Sequence, residues 1–481
     1  MRTAAAFTVC LTLATAAMSP TAAQTPLDRT KPPALPATPD VRLPAIQKAA
    51  LSNGLAVWLV EDHELPTVVM NLVIRSGSER DPAGKAGTAS LTADMLDEGT
   101  KTRSALAIAD ELDFIGASLG VFSDMDGSYV TLNTLTKHLD KALAVFADVV
   151  AHPSFPAQEF DRLRKQRVTT LLTQQDQPGA MATNAYNRIL YGADHPYGHN
   201  VLGSTASVGA LTREDLTAFY ATHYRPNNAA LIVVGDITMA SARAMLEPLL
   251  NVWKPAPIPP APPAAAPASG KRRIYLVDKP GAAQSEIRIG APAMPRSSPD
   301  FFPAGVMNRI LGGQFSSRLN LNIREQKGYS YGVRSGFTMM RAGGPFTASG
   351  GVITAKTDSA LKEFFHEMDR MHAEGITAEE LTFALKGING AFPLTFETPG
   401  QVGTALRNIY LYDLPENYYT TYIGNFNRVT LAEVKAMSQK YLDTSSMVVV
   451  VVGDVKTIRP GIEAMKFGEV TVVDTEGKKA E

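Results

Sequence analysis

The chain has 481 residues and a formal net charge of −1 at neutral pH, and 45% of its residues are hydrophobic while 19% are charged. This length and composition are typical of a globular protein with two or more domains. The near-neutral charge argues against the basic surface that nucleic-acid binding requires, so we expect no nucleic-acid partner.

Residues 1–23 have the three-part pattern of a secretory signal peptide. A basic start at Arg2 is followed by an apolar stretch over residues 4–17 and by a small-residue cleavage site before Gln24. The apolar stretch is too short to span a bilayer, and no later run reaches the length of a transmembrane helix. We expect an exported, periplasmic protein without a transmembrane segment. Because the single cysteine, Cys10, lies inside the predicted signal, we expect no disulfide in the mature chain.

The first half of the mature chain is predicted to be a mixed α/β domain over residues 41–254. Residues 24–40 contain five prolines and are interpreted as an extended tether. The apolar, β-branched runs at 55–60 and 68–74 are predicted to be paired strands of a buried sheet. Further strands are expected at 128–135 and 229–234, and helices at 105–115, 139–150, 157–175 and 212–220.

A second domain is predicted at 271–481, after a linker at 255–270 that is rich in proline and alanine. Sequence elements of the first half return after this linker at a nearly constant offset. Leu-Val-Glu at 59–61 returns as Leu-Val-Asp at 276–278, and Val-Val-Gly-Asp at 233–236 returns at 451–454. A constant offset indicates duplication of a whole domain, so both halves are expected to share one fold.

Residues 84–100 have the frame of a zinc-peptidase helix without its ligands. The inverted zinc motif H-x-x-E-H places two imidazoles at i and i+4 on one helix face, with a glutamate that activates water between them. Here these positions are Ser90, Ala93 and Asp94. Serine is a poor zinc ligand, alanine cannot act as a base, and one aspartate cannot form a three-ligand site. The segment therefore predicts no zinc in this chain.

The residues around these positions resemble those of the insulinase/pitrilysin family, close to mitochondrial processing peptidase and its two-subunit bacterial relatives. In that family Gly and Ala lead into H-x-x-E-H, and Met-Leu and Gly-Thr follow. The matching residues are Gly87, Ala89, Met95, Leu96, Gly99 and Thr100. The resemblance extends over roughly residues 41–463 and places the third zinc ligand, a glutamate, within 163–175. That run contains no carboxylate.

The resemblance implies an α+β fold in which two homologous α/β-roll domains, each a mixed sheet plus helices, form one half of a clamshell. The halves are expected to face each other across a cavity. In the second half, the family has an arginine followed seven residues later by a tyrosine, and both bind the substrate backbone beside the zinc. Arg324 and Tyr331 match this pair. Around them we predict a helix, a turn at Gly328 and a strand over residues 329–333.

The two side chains suit that role chemically. Negative charge develops on a peptide carbonyl oxygen under attack, and a guanidinium and a phenolic hydroxyl can both donate to it. The structural alternative is a surface ion pair between Arg324 and Glu325, with Tyr331 filling the core.

Histidines offer a rival metal site at two places. His195 and His199 are spaced at i and i+4, but Pro196 and Gly198 between them disfavour a shared helix face, so we predict a structural loop. Residues 366–372 include two histidines and a glutamate on an amphipathic helix, and we interpret them as a solvated face.

These observations leave three functional hypotheses. In the first, the chain is the zinc-free subunit of a heteromeric metallopeptidase, binds peptide and supplies Arg324 and Tyr331 to a zinc-bearing homologous partner. In the second, it is a non-catalytic structural or peptide-binding protein, similar to the respiratory-complex core proteins of the same fold. In the third, it is a self-sufficient hydrolase with an unrecognised site. We expect no cofactor in this chain and zinc in the partner.

Overall fold

A computed structural model describes residues 44–261 and 270–479. The predicted signal peptide at 1–23 and tether at 24–40 lie outside these residues, as does the 262–269 part of the predicted linker. Within the described ranges, no helix combines the length and apolar character needed to cross a membrane.

The first half contains one mixed sheet of six strands. The strands are β1 (Gln47–Ala50), β2 (Ala56–Glu61), β3 (Thr67–Ile74), β4 (Ser118–Ser123), β5 (Ser128–Leu135) and β6 (Ala229–Gly235). They lie in the order β1-β2-β6-β3-β5-β4. β6 is parallel to β2 and antiparallel to β3. The predicted direct pairing of β2 with β3 is therefore wrong, because β6, buried along its whole length, lies between them.

The second half repeats this sheet. Its strands are β7 (Arg273–Asp278), β8 (Gln284–Pro292), β9 (Val333–Phe337), β10 (Pro345–Ile353), β11 (Val448–Gly453) and β12 (Glu469–Val473). The order is β12-β7-β11-β8-β10-β9. The last five strands of this order correspond, one for one, to β2-β6-β3-β5-β4 of the first sheet. The edge strands differ, because β1 runs antiparallel to β2 whereas β12 runs parallel to β7. The predicted pair of homologous α/β halves is confirmed.

Sixteen helices surround the two sheets in the described ranges. Those of the first half are α1 (Thr88–Asp94), α2 (Ala105–Ile115), α3 (Leu139–Ala151), α4 (Ala157–Gln174), α5 (Pro178–Tyr191), α6 (Thr205–Ala210), α7 (Arg213–His223) and α8 (Met239–Leu250). Those of the second half are α9 (Phe301–Leu311), α10 (Arg318–Asn320), α11 (Thr357–Glu374), α12 (Ala378–Ala391), α13 (Pro399–Leu411), α14 (Tyr418–Asn427), α15 (Leu431–Tyr441) and α16 (Val455–Ala464).

The repeat extends to the start of a helix. α7 begins with a capping box of Thr212 and Asp215, and α15 begins with a capping box of Thr430 and Glu433. In each, the threonine side chain accepts from a backbone amide and the acid accepts from the threonine amide, so two otherwise unpaired donors are satisfied. The equivalent devices support the duplication of the whole domain.

Each half contributes one helix to the sheet of the other half. α5 packs on β7, β8 and β11, and α13 packs on β3 and β6. Tyr186 of α5 is buried with Val450, and Ile409 of α13 is buried with Ile232. Along these contacts the halves touch directly through apolar clusters, and the expected cavity between them stays a prediction. The exchange ties the halves together by burying apolar surface.

Candidate functional site

The degenerate zinc motif lies on α1, a short and almost entirely buried helix. Its start is set by Gly87, which has a φ of 97°, and a Cβ at this position would approach the Leu202 carbonyl oxygen to 2.8 Å, so only glycine fits here. The Asp81 carboxylate accepts hydrogen bonds from the amides of Gly87 and Ala89, each at 2.7 Å. The frame around the motif is thus used to build and cap the helix.

Ser90 and Asp94 lie one turn apart on α1, and both accept hydrogen bonds from Arg167 of α4. The Arg167 Nη1 atom lies 3.1 Å from Ser90 Oγ, and its Nη2 atom donates to Asp94 Oδ2 in an ion pair. Only 8% of Arg167 is exposed. The guanidinium therefore occupies the side of α1 on which the two imidazoles of H-x-x-E-H would meet a metal ion.

The residues present do not fit a zinc ion. Ser90 Oγ and Asp94 are the only oxygen donors at the motif positions, and the fully buried Ala93 adds none. A guanidinium also repels a dication held in the same place. Across residues 44–261 and 270–479, no three His, Cys, Asp or Glu side chains converge as a metal site would require. The motif positions of this chain therefore cannot hold a catalytic zinc ion.

Burial disfavours the charged form of the carboxyl groups around α1. Burial raises the pKa of Asp94, and the charge and hydrogen bond of Arg167 oppose that rise. Burial raises the pKa of the neighbouring Asp97 to about 6. The ion pair with Arg167 therefore offsets part of the cost of burying the Asp94 carboxylate.

Arg167 is the residue that sequence reasoning missed. It lies within 163–175, where the resemblance places the third zinc ligand, but the prediction for that run concerned only its missing carboxylate. The available signal was a basic residue in a stretch that is expected to hold an acid, while an acid, Asp94, stands at one of the ligand positions of the motif.

The second candidate site lies between α9 and β9. α10 continues into a π-helix over Leu321–Gln326, and Gly328, with a φ of 66°, ends it as predicted. The predicted strand over 329–333 is wrong, since β9 begins at Val333. Ser330 explains the difference: its Oγ accepts from the Gly332 amide at 3.0 Å and donates to the Gly351 carbonyl at 2.6 Å, which holds the chain in a turn.

Arg324 and Tyr331 have different surroundings. The Arg324 side chain is 31% exposed, donates to Glu325 in an ion pair, and lies over the ring of Phe315 with its guanidinium carbon 4.4 Å from the ring centroid. Tyr331 is 90% exposed. Its hydroxyl has no hydrogen-bond partner within 44–261 and 270–479. The structural alternative thus describes Arg324 in part, but Tyr331 does not fill the core.

A cleft of about 490 Å³ lies next to Tyr331. Tyr331 and Phe315 both line it, beside Gly312 and Gly313, and Arg324 reaches it through its stacking on Phe315. Glu286 and Arg288 of β8 form its floor, where Arg288 Nη1 donates to Glu286 at 3.0 Å. Tyr331 therefore lies in an open, polar cleft, and Arg324 lies beside it against the Phe315 ring.

The histidine clusters have structural surroundings. His195 Nδ1 accepts from the Tyr197 amide at 2.9 Å, and its ring packs against Tyr191, in agreement with the predicted loop. On α11, His366 is exposed as predicted. The neighbouring Glu367 is buried and accepts from Asn322 and Arg370, so the interpretation of a wholly solvated face is wrong.

Two family models match the chain, one within the first half and one that extends from the end of the first half into the second. Residues 56–201 match the model described as "Insulinase (Peptidase family M16)", and residues 210–388 match the one described as "Peptidase M16 inactive domain". The first match contains α1 and Arg167, and the second contains Arg324 and Tyr331.

Similar proteins occur in bacteria. A relative named "Non-peptidase homolog YmxG" from Helicobacter pylori is 25% identical over 82% of this chain and 91% of its own length. An "uncharacterized zinc protease" of Streptomyces coelicolor is 25% identical over 74% of this chain and 78% of its own length.

Solved structures agree with the fold. One described as a peptidase M16 inactive domain from Pseudomonas fluorescens has a TM-score of 0.79 and 29% identity, and covers 85% of this chain and 98% of the other. A protease from Helicobacter pylori has a TM-score of 0.80 at 19% identity, covers 86% of this chain and all of the other, and shows the fold alone. The family matches, this structural likeness and the replaced motif on α1 lead to one conclusion: the chain belongs to the insulinase family, peptidase family M16, as a homologue without the zinc-binding residues.

Proposed function

We propose that this chain is the zinc-free subunit of a two-chain peptidase that is exported to the periplasm, binds peptide and supplies Arg324 and Tyr331 to a zinc-bearing homologous subunit. The observation that carries the proposal is the exposure of Tyr331, 90% of which is open to solvent. A tyrosine kept for packing is buried, whereas one that acts on substrate held by a partner must be accessible before the two chains assemble.

The chemistry of the pair supports this role. Arg324 and Tyr331 are both hydrogen-bond donors at one cleft, and neither needs to change protonation to donate. The carbonyl oxygen of a peptide gains negative charge when it is attacked, and fixed donors stabilise that charge more strongly than they stabilise the bound substrate. The partner supplies the metal chemistry, and this chain orients the carbonyl and stabilises its charge.

The surroundings of the pair support contact with another protein. Phe315 and Leu321, both near Arg324 in the chain, are exposed, and the Arg324 guanidinium lies over the Phe315 ring, so exposed apolar surface lies next to this charged group. Clustered exposed apolar and aromatic side chains with an arginine are characteristic of the central residues of protein interfaces.

A non-catalytic scaffold or peptide-binding protein is the second candidate. It is favoured by the ion pair between Arg324 and Glu325, which gives the arginine a partner within its own chain. The name of the Helicobacter pylori relative, a non-peptidase homologue, points the same way. The two candidates differ in whether loss of Arg324 or Tyr331 affects peptide turnover.

Complementation tests the proposal. The mature chain is purified alone and mixed with the homologue from the same organism that carries an intact H-x-x-E-H motif, and cleavage of quenched fluorescent peptides is followed. Neither chain alone should cleave, while the mixture should. Changing the motif glutamate of the homologue to glutamine should abolish the activity of the mixture. Full activity of the homologue alone, with no gain on mixing, would favour the scaffold.

A further inference from the structure

The contacts of Arg167 join three separate segments of the first half. Its Nη1 atom donates to Ser90 Oγ at 3.1 Å and lies 3.5 Å from the Leu202 carbonyl oxygen, and its Nη2 atom pairs with Asp94. Ser90 and Asp94 belong to α1, Arg167 to α4, and Leu202 to the loop that packs on the start of α1. One side chain thus holds together two helices and a loop.

This arrangement is unusual for an arginine. Arginine is seldom buried unless it is paired, because removing its charge from water is costly. Other basic side chains of α4 follow the ordinary pattern: Arg162 is about half exposed and pairs with Glu98 and Glu159 at the surface. The contrast within one helix shows that the surroundings of Arg167 are built to hold a cation.

We propose that the Arg167 guanidinium takes the structural place of a metal ion, as a covalently attached cation that joins α1 to α4. The acceptors fit this role, since a hydroxyl and a carboxylate at i and i+4 of α1 converge on one positive group, as two metal ligands would. The inference does not depend on the proposed function, because it concerns only the first half.

The proposal has two consequences. First, the Arg167 guanidinium is surrounded by oxygen acceptors, so removing this side chain leaves a cavity that a small guanidinium compound can refill. Second, restoring the motif residues alone cannot restore zinc binding, because the guanidinium still fills the place of the ion and repels it.

Chemical rescue tests the first consequence. Arg167→Ala in the mature chain should lower Tm by roughly 5 °C, because it leaves Asp94 without its partner. Methylguanidinium at about 10 mM, present as a ligand in excess, should restore at least half of that loss. The control is Arg162→Ala, the same change on the same helix, for which the same addition should shift Tm by less than about 1 °C. The proposal would be overturned if methylguanidinium raised Tm equally in both variants, or if it did not raise the Tm of Arg167→Ala.

Motif restoration tests the second consequence and does not depend on the folding of Arg167→Ala. The triple variant Ser90→His, Ala93→Glu, Asp94→His is compared with the quadruple variant that adds Arg167→Glu. Zinc is measured by elemental analysis after dialysis. The triple variant should retain less than about a tenth of an equivalent of zinc and the quadruple variant about one, since only the latter has three ligands and no competing cation. Stoichiometric zinc in the triple variant, or none in the quadruple variant, contradicts the inference.

Discussion

Each half contains an arginine–carboxylate ion pair, and the two pairs differ in how deeply they are buried. Arg167 and Arg324 each donate to a single carboxylate, Asp94 and Glu325 respectively. Arg167 is 8% exposed and contacts two further oxygens, while the Arg324 side chain is 31% exposed and stacks only on Phe315. The first pair is part of the interior, and the second lies at the rim of an open cleft.

The difference in burial sets how firmly each arginine is held. A buried charge pair is costly to break because either partner is left unpaired away from water. An exposed pair has a coupling energy of only about 0–1 kcal/mol, so its arginine can turn to another acceptor. In the first half the motif positions therefore form a structural contact, whereas the Arg324 pair of the second half is held only weakly.

The largest expected effect is on peptide turnover and tests the exposed arginine and its neighbouring tyrosine. In the assembled pair, Arg324→Ala or Tyr331→Phe should lower kcat by roughly tenfold to a thousandfold, because each removes one donor to the developing charge. Steady-state kinetics on a fluorescent peptide measure the effect, and size exclusion confirms assembly. The control is Tyr329→Phe, which makes the same change two residues earlier on a partly buried tyrosine. Wild-type turnover by both cleft variants in an intact assembly would remove the catalytic role.

The second effect is on stability and probes the buried pair. Asp94→Ala should lower the free energy of unfolding by about 2–4 kcal/mol, because it leaves the Arg167 guanidinium buried with only neutral acceptors. Urea denaturation followed by circular dichroism measures the loss. Glu325→Ala is the matched change at the exposed pair and should cost less than about 1 kcal/mol. Similar losses in the two variants would mean that the two pairs do not differ as described.

Local elements of this fold were predictable from the sequence, and their spatial arrangement was not. The bounds of α2 and β5 agree with the predicted 105–115 and 128–135, because apolar periodicity and turn residues act within a few positions. The insertion of β6 between β2 and β3 and the exchange of α5 and α13 depend on contacts between distant residues, which one sequence does not reveal.

The same distinction applies to the sites. The loss of a zinc ligand at Ser90 and of the water-activating glutamate at Ala93 could be predicted, because each residue type has a fixed chemistry. The pairing of Arg167 with Asp94 could not, since it requires the orientation of α4 against α1. The exposure of Tyr331 was also hidden, because a tyrosine in a β-prone run is more often buried than projected from a turn held by Ser330.

A third expected effect concerns pH and is smaller. Glu79, on the loop before α1, is buried near Asp126, and burial together with that neighbouring charge raises its pKa to about 7. The folded chain thus binds this proton more tightly than the unfolded chain, so stability should fall as pH rises from about 4.5 to 7. Glu79→Gln should therefore be roughly 1–3 kcal/mol more stable than wild type at pH 8 and about equal to it near pH 4.5. Urea midpoints at the two pH values measure the difference, and a constant difference would assign the effect to packing.

The smallest expected effect concerns whether the Glu325 carboxylate restrains Arg324. Glu325→Gln keeps the shape of the side chain and removes its charge, so the free energy of unfolding should change by less than about 1 kcal/mol, as for other exposed pairs. If Arg324 leaves Glu325 to bind substrate, the variant should lower KM or raise kcat by at most about fivefold in the assembled pair, because the arginine no longer gives up an ionic partner. If instead the pair itself positions the guanidinium, kcat should fall, and Glu325→Asp should recover part of the loss. Kinetics of the two variants, measured beside Arg324→Ala, separate these cases, and a fall in kcat with Glu325→Gln would show that the exposed pair has a fixed geometry after all.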